Sequence, residues 1–310
     1  MSILKLAAAV SLTAFTLTAL HGEKHCPGNV ASVPLRVVQG ALIVVPITID
    51  GSGPYDFMVD SGAQITTVDS QMAAQLGLQT SGTTGVSGIK SYGRRALTQL
   101  NRMEVGGHRA DNVLAVIDDL VQLHAADGKI RGIAGEDFLT HFDLMIDNER
   151  RMICLDETEA MALAMKGTRV ALLKPHGPDD DLPFTRPLII EARVEGDPNA
   201  ILFRLDSGSN APLIYGDGGQ AHNNVPSNAQ TLKRVVDGVE QDFAVLPPQD
   251  LAVGTERLRQ VIFVKPLNTV GAVREPREDG LLPTQLFQRV FVSYRNQFAI
   301  LEPRQKDGNR

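Results

Sequence analysis

Residues 47–63 read ITIDGSGPYDFMVDSGA, and residues 192–209 read ARVEGDPNAILFRLDSGS. Each is a β-like run, a glycine-containing turn, a second apolar run and then Asp-Ser-Gly. Farther along, residues 132–155 read GIAGEDFLTHFDLMIDNERRMICL and residues 280–301 read GLLPTQLFQRVFVSYRNQFAIL. In both, a glycine leads through two small or apolar residues into a short helix and then two strands across a turn. Gly132 follows Asp60 by 72 residues, and Gly280 follows Asp206 by 74. Two separate blocks kept at nearly one spacing indicate a duplication. Two copies of this length read as two lobes, because a solenoid would need more and shorter repeats.

Outward from these blocks, short β-branched runs such as VPLRVV, ALIVVPITID, VLAVID and QVIFV alternate with Gly, Pro, Asn and Asp. That pattern predicts strands joined by turns. Short helices are expected at 70–76, where Asp69 or Ser70 supplies a cap and Gly77 a stop, and at 136–142, 157–165 and 284–288. The fold class is therefore mostly β with a few short helices. The expected boundaries are a leader at 1–25, a first lobe at 26–160, a second at 161–301 and a polar tail at 302–310.

The chain has 310 residues, 43% of them hydrophobic and 21% charged, which suits a globular protein with two cores. A net charge of −6, sparse aromatics and no Trp argue against a nucleic-acid partner. Lys5 precedes LAAAVSLTAFTLTAL (residues 6–20), an uncharged run of secretory length that is too short to span a bilayer. Export to the periplasm or medium is expected, with no membrane span left after leader removal. Cys26 follows Glu23-Lys24-His25, which is not the small-residue context of a lipid anchor. The two cysteines, Cys26 and Cys154, admit two readings: a disulfide in an oxidising compartment, or two separate thiols. Neither has zinc-ligand neighbours, so no metal site is expected.

A single Asp-Ser-Gly is a weak signal, because Asp and Gly commonly build a turn. That explanation fits two copies poorly, since both follow the same apolar strand and precede another β-like segment (ITTVD and APLIY). A strand delivering Asp into a tight turn sets the carboxylate at the edge of its lobe. A pseudo-twofold relation would bring two such carboxylates face to face.

Asp60-Ser61-Gly62-Ala63 and Asp206-Ser207-Gly208-Ser209, with Ile133-Ala134-Gly135 and the following GEDFL, resemble the signatures of aspartic peptidases, the first lobe most closely those of the retropepsin-like type. The resemblance covers roughly residues 33–155 and 187–301. It implies a two-lobed aspartic-protease-like β-barrel fold and hydrolysis of peptide bonds by a water activated between Asp60 and Asp206. Two close carboxylates cannot both ionise cheaply, so one keeps a proton while the other acts as base. Ser61 and Ser207 are expected to bond across the interface, with Gly62 and Gly208 allowing close approach and donating N–H groups to the carboxylates. Ser209, unlike Ala63, has a hydroxyl to offer its carboxylate. The lobes should then be electrostatically unequal and activity should lie at mildly acidic pH. A flap is expected at 85–92, with a counterpart at 235–243.

Leu281-Leu282-Pro283 departs from the apolar-apolar-Gly pattern, and proline forbids an identical loop there. No HExxH, G-x-S-x-G or P-loop is present, and the acidic run 179–181 reads as a solvated loop. The expectation is an exported aspartic endopeptidase, monomeric because one chain carries both aspartates. It would act without a cofactor on a peptide or protein held in an inter-lobe cleft. The alternative is a catalytically silent peptide-binding protein on the same fold.

Overall fold

The structure is a computed structural model, and it describes residues 25–87, 92–156, 159–174, 186–215, 225–236, 239–267 and 278–304. The expected leader up to residue 24, the acidic run at 179–181, the tail beyond Arg304 and the tip of the first predicted flap lie outside these residues. The first strand, β1 (Ser32–Pro34), belongs to a sheet shared by both halves.

The next eight strands form one sheet. They are β2 (Arg36–Val38), β3 (Leu42–Ile49), β4 (Ser52–Val59), β5 (Thr66–Asp69), β6 (Thr80–Ser87), β7 (Tyr92–Val105), β8 (His108–Asp118) and β9 (Ile130–Ala134). Their order is β2-β3-β4-β9-β5-β8-β7-β6. After β10 (Asp143–Asp147), β11 (Met152–Asp156) and β12 (Thr168–Ala171) comes a second sheet of nine. It comprises β13 (Ile189–Val194), β14 (Ile201–Asp206), β15 (Leu213–Ile214), β16 (Thr231–Val236), β17 (Val239–Val245), β18 (Gln249–Val253), β19 (Glu256–Val261), β20 (Val264–Pro266) and β21 (Gly280–Pro283). Its order is β16-β17-β20-β15-β21-β14-β13-β18-β19.

The two sheets repeat one plan. Strand β4 runs parallel to β9 as β14 does to β21, and β5 pairs antiparallel with β9 as β15 does with β21. Strands β5 and β8 are parallel, as are β15 and β20. The registers agree residue by residue: Phe57 faces Gly132 and Val59 faces Ala134, while Phe203 faces Gly280 and Leu205 faces Leu282. Both glycines face an adjacent ring, and Gly280 also faces the Leu213 carbonyl, 2.0 Å from where its Cβ would stand. A Cβ on Gly132 would lie 2.1 Å from Phe57 Cε1, and one on Gly280 would lie 2.9 Å from Phe203 Cε1.

A third sheet joins the halves in the order β1-β11-β10-β22-β23-β12, where β22 is Phe287–Ser293 and β23 is Phe298–Pro303. Its central seam is the antiparallel β10–β22 pair, with Leu144 opposite Val292 and Ile146 opposite Val290. Asn148 reinforces it by donating Nδ2 to the carbonyls of Thr284 and Phe287, both at 3.0 Å. One apolar cluster runs through both halves, including Ile43, Phe57, Ile146, Phe203, Leu282 and Val290.

Among the described residues there are four short α-helices: α1 (Ser70–Gln75), α2 (Val121–Ala126), α3 (Glu136–Leu139) and α4 (Glu159–Leu163). Asp69 caps α1 by accepting from Met72 N–H at 2.8 Å. The helix expected at 136–142 is one turn long, since the chain must return extended into β10 at Asp143. Pro283 precedes a 3₁₀ turn, Thr284–Leu286, where proline's fixed φ suits a helix entry. The helix at 121–126 has no fully buried residue and rests only Leu123 and Ala126 on the core, too short a stripe to give a periodic signal in the sequence.

Cys26 and Cys154 form a disulfide with a Cα–Cα distance of 5.8 Å. The bridge sits in an apolar cluster with Met145, Met161 and Phe291 and pins the start of the described chain to β11. Among the described residues no helix is long and apolar enough to cross a membrane.

Candidate active site

Strand β4 ends at Val59 and delivers Asp60 into the turn Asp60-Ser61-Gly62, and β14 ends by delivering Asp206 into Asp206-Ser207-Gly208. Inside each turn the Asp carboxylate is held by backbone N–H groups. Asp60 Oδ1 accepts from Gly62 at 2.8 Å and Ala63 at 3.2 Å. Asp206 Oδ1 accepts from Gly208 at 2.7 Å and Ser209 at 2.9 Å. The Ser209 hydroxyl does not join them: it donates to the Ala211 carbonyl at 2.9 Å. Ser209 therefore serves Asp206 as Ala63 serves Asp60, through its backbone alone.

The two serines lock the turns together. Ser61 N–H donates to Ser207 Oγ at 3.0 Å, and Ser207 N–H donates to Ser61 Oγ at 3.1 Å. Each hydroxyl then donates into the opposite strand, Ser61 to Leu205 O at 2.9 Å and Ser207 to Val59 O at 2.8 Å. Both serines are fully buried, so these bonds have no competition from water. The glycines explain how closely the halves approach. A Cβ on Gly62 would lie 2.7 Å from Asp206 Oδ2, and one on Gly208 would lie 2.5 Å from the Asp60 carboxyl carbon. Each glycine is pressed against the opposite carboxyl group.

The approach of each glycine to the opposite carboxyl group sets the two carboxyls beside each other, close enough for each to influence the other's protonation. Burial raises Asp60 above the ordinary carboxylate range, against the bonds from Gly62, Asp206 and Ala63. Asp206 is pushed up to about 8, first by burial and then by the charge of Asp60. Two buried carboxyls side by side cannot both ionise cheaply, and a pair that shares one proton can give a proton to one atom while taking one from another.

Behind the turns lies a buried charged cluster that spans both halves. Arg204, on β14 two residues before Asp206, is 8% exposed. Its Nη1 donates to the Gly62 carbonyl at 3.2 Å and lies 3.6 Å from Glu136 Oε1. Its Nη2 donates to Glu278 Oε2 at 3.2 Å, and the Tyr215 hydroxyl donates to Glu278 Oε1 at 2.7 Å. Burial works against the Arg204 charge, but the Glu278 and Glu136 carboxylates outweigh it and hold the guanidinium protonated. Burial and Glu278 together raise Tyr215. Sequence reading passed over this cluster. Its one visible trace is Arg204 itself, the one basic residue in the otherwise apolar run that leads to Asp206, ILFRLD.

The hairpin of β6 and β7 and the hairpin of β16 and β17 occupy corresponding edges of the two sheets. These are the segments read as flap and counterpart, although residues 88–91 and 237–238 lie outside the described residues. Arg234 on β16 donates to Asn210 Oδ1 at 3.0 Å and ties the second hairpin to the loop beyond Ser209.

A mostly β fold with two Asp-Ser-Gly turns back to back defines the class of aspartic-protease-like proteins. Consistent with this, residues 45–138 match the family model described as Aspartyl protease, and in that segment the chain carries a domain of the aspartic peptidase superfamily. The match includes Asp60 and Gly135 and ends before the second half. No curated protein matches the chain.

Proposed function

We propose that this protein is an aspartic endopeptidase whose two halves act as lobes and share one site. The observation that carries the reading is the pair of turns locked by Ser61 and Ser207, in which Gly62 is pressed against the Asp206 carboxyl and Gly208 against that of Asp60. A water bound between the carboxyls is deprotonated by the charged one and attacks the scissile carbonyl. The protonated one donates to the carbonyl oxygen as the tetrahedral centre forms. The proton then passes to the leaving amine, and no bond to the enzyme is made.

The substrate in this reading is an extended peptide running between the turns and the hairpins β6–β7 and β16–β17, in contact with backbone on both sides. One chain supplies both aspartates, so a monomer suffices. Export is part of the proposal. It is supported by the leader-like start and by the Cys26–Cys154 disulfide, which persists where the surroundings are oxidising.

The test is cleavage of a peptide library by the wild-type protein and by Asp60→Asn and Asp206→Asn. Cleavage by the wild type and its loss in both variants is expected, each by a factor of about 10² to 10⁴. Cleavage that survives both substitutions removes the dyad from the reaction. Peptide binding with no wild-type cleavage from pH 3 to 8 converts the reading to a binding protein.

A further inference from the structure

The two turns are alike, but the groups behind them are not. The Gly62–Ala63 peptide unit has its carbonyl on Arg204 Nη1 and its N–H on Asp60 Oδ1. The guanidinium thus pulls on one end of a dipole whose other end points at the Asp60 carboxylate. Glu136 completes the anchor, because its own N–H donates to the Ala63 carbonyl at 2.8 Å while its side chain pairs with Arg204.

The matching positions behind the other turn carry no charge. Strand register sets Arg204 opposite Leu281 and Met58 opposite Ile133, so Met58 is the counterpart of Arg204. Met58 is buried among Val38, Leu42, Val44 and Ile130 and has no donor. Thr284, which follows Pro283, stands where Glu136 follows Gly135. The pseudo-twofold is therefore broken electrostatically on one side, and that side is the turn of Asp60.

We infer that Arg204 is a positioning residue that makes Asp60 the charged member of the pair and leaves Asp206 as the proton carrier. The inference rests on the peptidase reading for its meaning in catalysis, though not for its electrostatics. In that reaction Asp60 takes the proton of the attacking water, and Asp206 gives its proton to the substrate carbonyl. Both protons stay within the site until the amine leaves.

The groups that bear on the Asp60 carboxyl are few. Asp206 and Arg204 come from β14, Glu136 from α3, Glu278 from the segment entering β21 and Tyr215 from the end of β15. Tyr294, fully buried on the strand turn after β22, lies within the influence of Glu136. Arg204 is the cation of this set. The charge of Arg204 favours the ionised form of both carboxyls, so its preference for Asp60 comes from the Gly62–Ala63 peptide unit bonded between Arg204 and Asp60, while the charge of Asp60 helps to raise Asp206.

The experiment is a pH titration of the two carboxyls by ¹³C NMR on the full chain labelled at aspartate Cγ, run beside a pH–rate profile of peptide cleavage. Asp60→Asn and Asp206→Asn assign the signals. In Arg204→Gln the lower of the two apparent pKa values should rise by about one unit or more, because a cation that favours the charged form is gone. The acid limb of kcat/KM should move with it. Glu278→Gln should move both the other way, since it removes an anion that offsets Arg204. Arg204→Lys keeps the charge but not the fork, so the acid limb should stay near wild type while kcat falls.

An unchanged lower titration in Arg204→Gln overturns the inference, as does a shift of the same sign in Glu278→Gln. If Arg204→Gln does not fold, Glu278→Gln and Arg204→Lys carry the same test. A dyad that titrates as expected without any cleavage upholds the role of Arg204 and rejects the peptidase. Aspartate-dependent cleavage with a titration indifferent to Arg204 and Glu278 does the reverse.

Discussion

The turn after β4 and the turn after β14 hold their carboxylates with the same pair of backbone N–H groups, yet they are anchored to the body of the protein by different chemistry. Behind Asp60 lie Arg204, Glu136 and the bond from Glu136 N–H to the Ala63 carbonyl. A further anchor is the buried pair of Thr66 and Asp137. Behind Asp206 the corresponding positions are Met58, Thr284, Pro212 and Gln285. What the two turns share is the geometry that presents two carboxyls to each other. What they do not share decides how the charge is divided between them.

The shared geometry should be the easiest to break. Gly62→Ala and Gly208→Ala each drive a methyl group into the opposite carboxyl, to within 2.7 Å of Asp206 Oδ2 or 2.5 Å of the Asp60 carboxyl carbon. Neither glycine has a positive φ, so the backbone accepts alanine and the damage falls on the site. Loss of cleavage by about 100-fold or more is expected from a displacement of that kind. The far-ultraviolet circular dichroism spectrum should be retained. If one alanine is harmless, the carboxyls are not in the close contact that both turns now share.

The division of charge should appear in the pH dependence of stability. Asp206 sits near 8 when folded and near 3.9 when unfolded, so folding favours its protonated form. The stability tied to that group is complete below about pH 4 and is lost as the pH rises toward 8. Asp206→Asn keeps an acceptor for the Gly208 and Ser209 N–H groups and carries no charge. Its melting temperature should therefore exceed that of the wild type most at pH 8 and least near pH 4, with about 2–4 °C for each kcal/mol recovered. A difference independent of pH would mean that Asp206 does not hold the proton.

The serines should sharpen the symmetric part. Ser61→Ala or Ser207→Ala removes one acceptor and one donor from buried partners in the opposite half. Each should cost about 2–4 kcal/mol in denaturant unfolding, since a buried N–H and a buried C=O are left unpaired. The double variant should cost less than the two together, because the four bonds form one network. Fully additive losses would mean that each turn is held independently.

Much of this frame was legible in the sequence, and for a physical reason. Turns, strand periodicity and the equal spacing of the two blocks are local or repeated features, and the register of Phe57 on Gly132 and Phe203 on Gly280 follows from them. The chemistry behind the turns was not legible. Glu278 sits in the polar run REPRED, where nothing separates it from Glu275 until folding places it on Arg204. Ser209 misled in the opposite way: its hydroxyl faces a carbonyl two residues on and leaves the carboxylate to its backbone. The expected inequality of the halves was tied to the Ser209 hydroxyl, which makes no such contact; its proposed source is Arg204 instead.

The smallest expected effect concerns the anchor that the first half keeps and the second has replaced. Asp137 Oδ1 accepts from Thr66 N–H at 2.8 Å and from Thr66 Oγ at 2.7 Å, and Thr66 Oγ accepts from Gly135 N–H at 3.2 Å. The matching residues are Pro212, with neither N–H nor hydroxyl, and Gln285, whose amide donates to the Ala41 and Ser207 carbonyls. Burial raises Asp137 to about 6 despite the two bonds from Thr66, which favour its charge. Thr66→Val keeps the shape and removes one of those bonds, so Asp137 should titrate above 6 and the protein should lose about 1–2 kcal/mol at pH 7. Near pH 4 and below, Asp137 is protonated in the folded wild type and variant alike. The part of the loss that depends on the carboxylate then disappears, and the difference in unfolding free energy should narrow. The same measurement on Pro212→Ala should show no such narrowing, because Gln285 does not titrate. A loss in Thr66→Val that stays constant from pH 4 to 8 would assign the anchor to packing, and the two halves would then differ behind their turns only at Arg204.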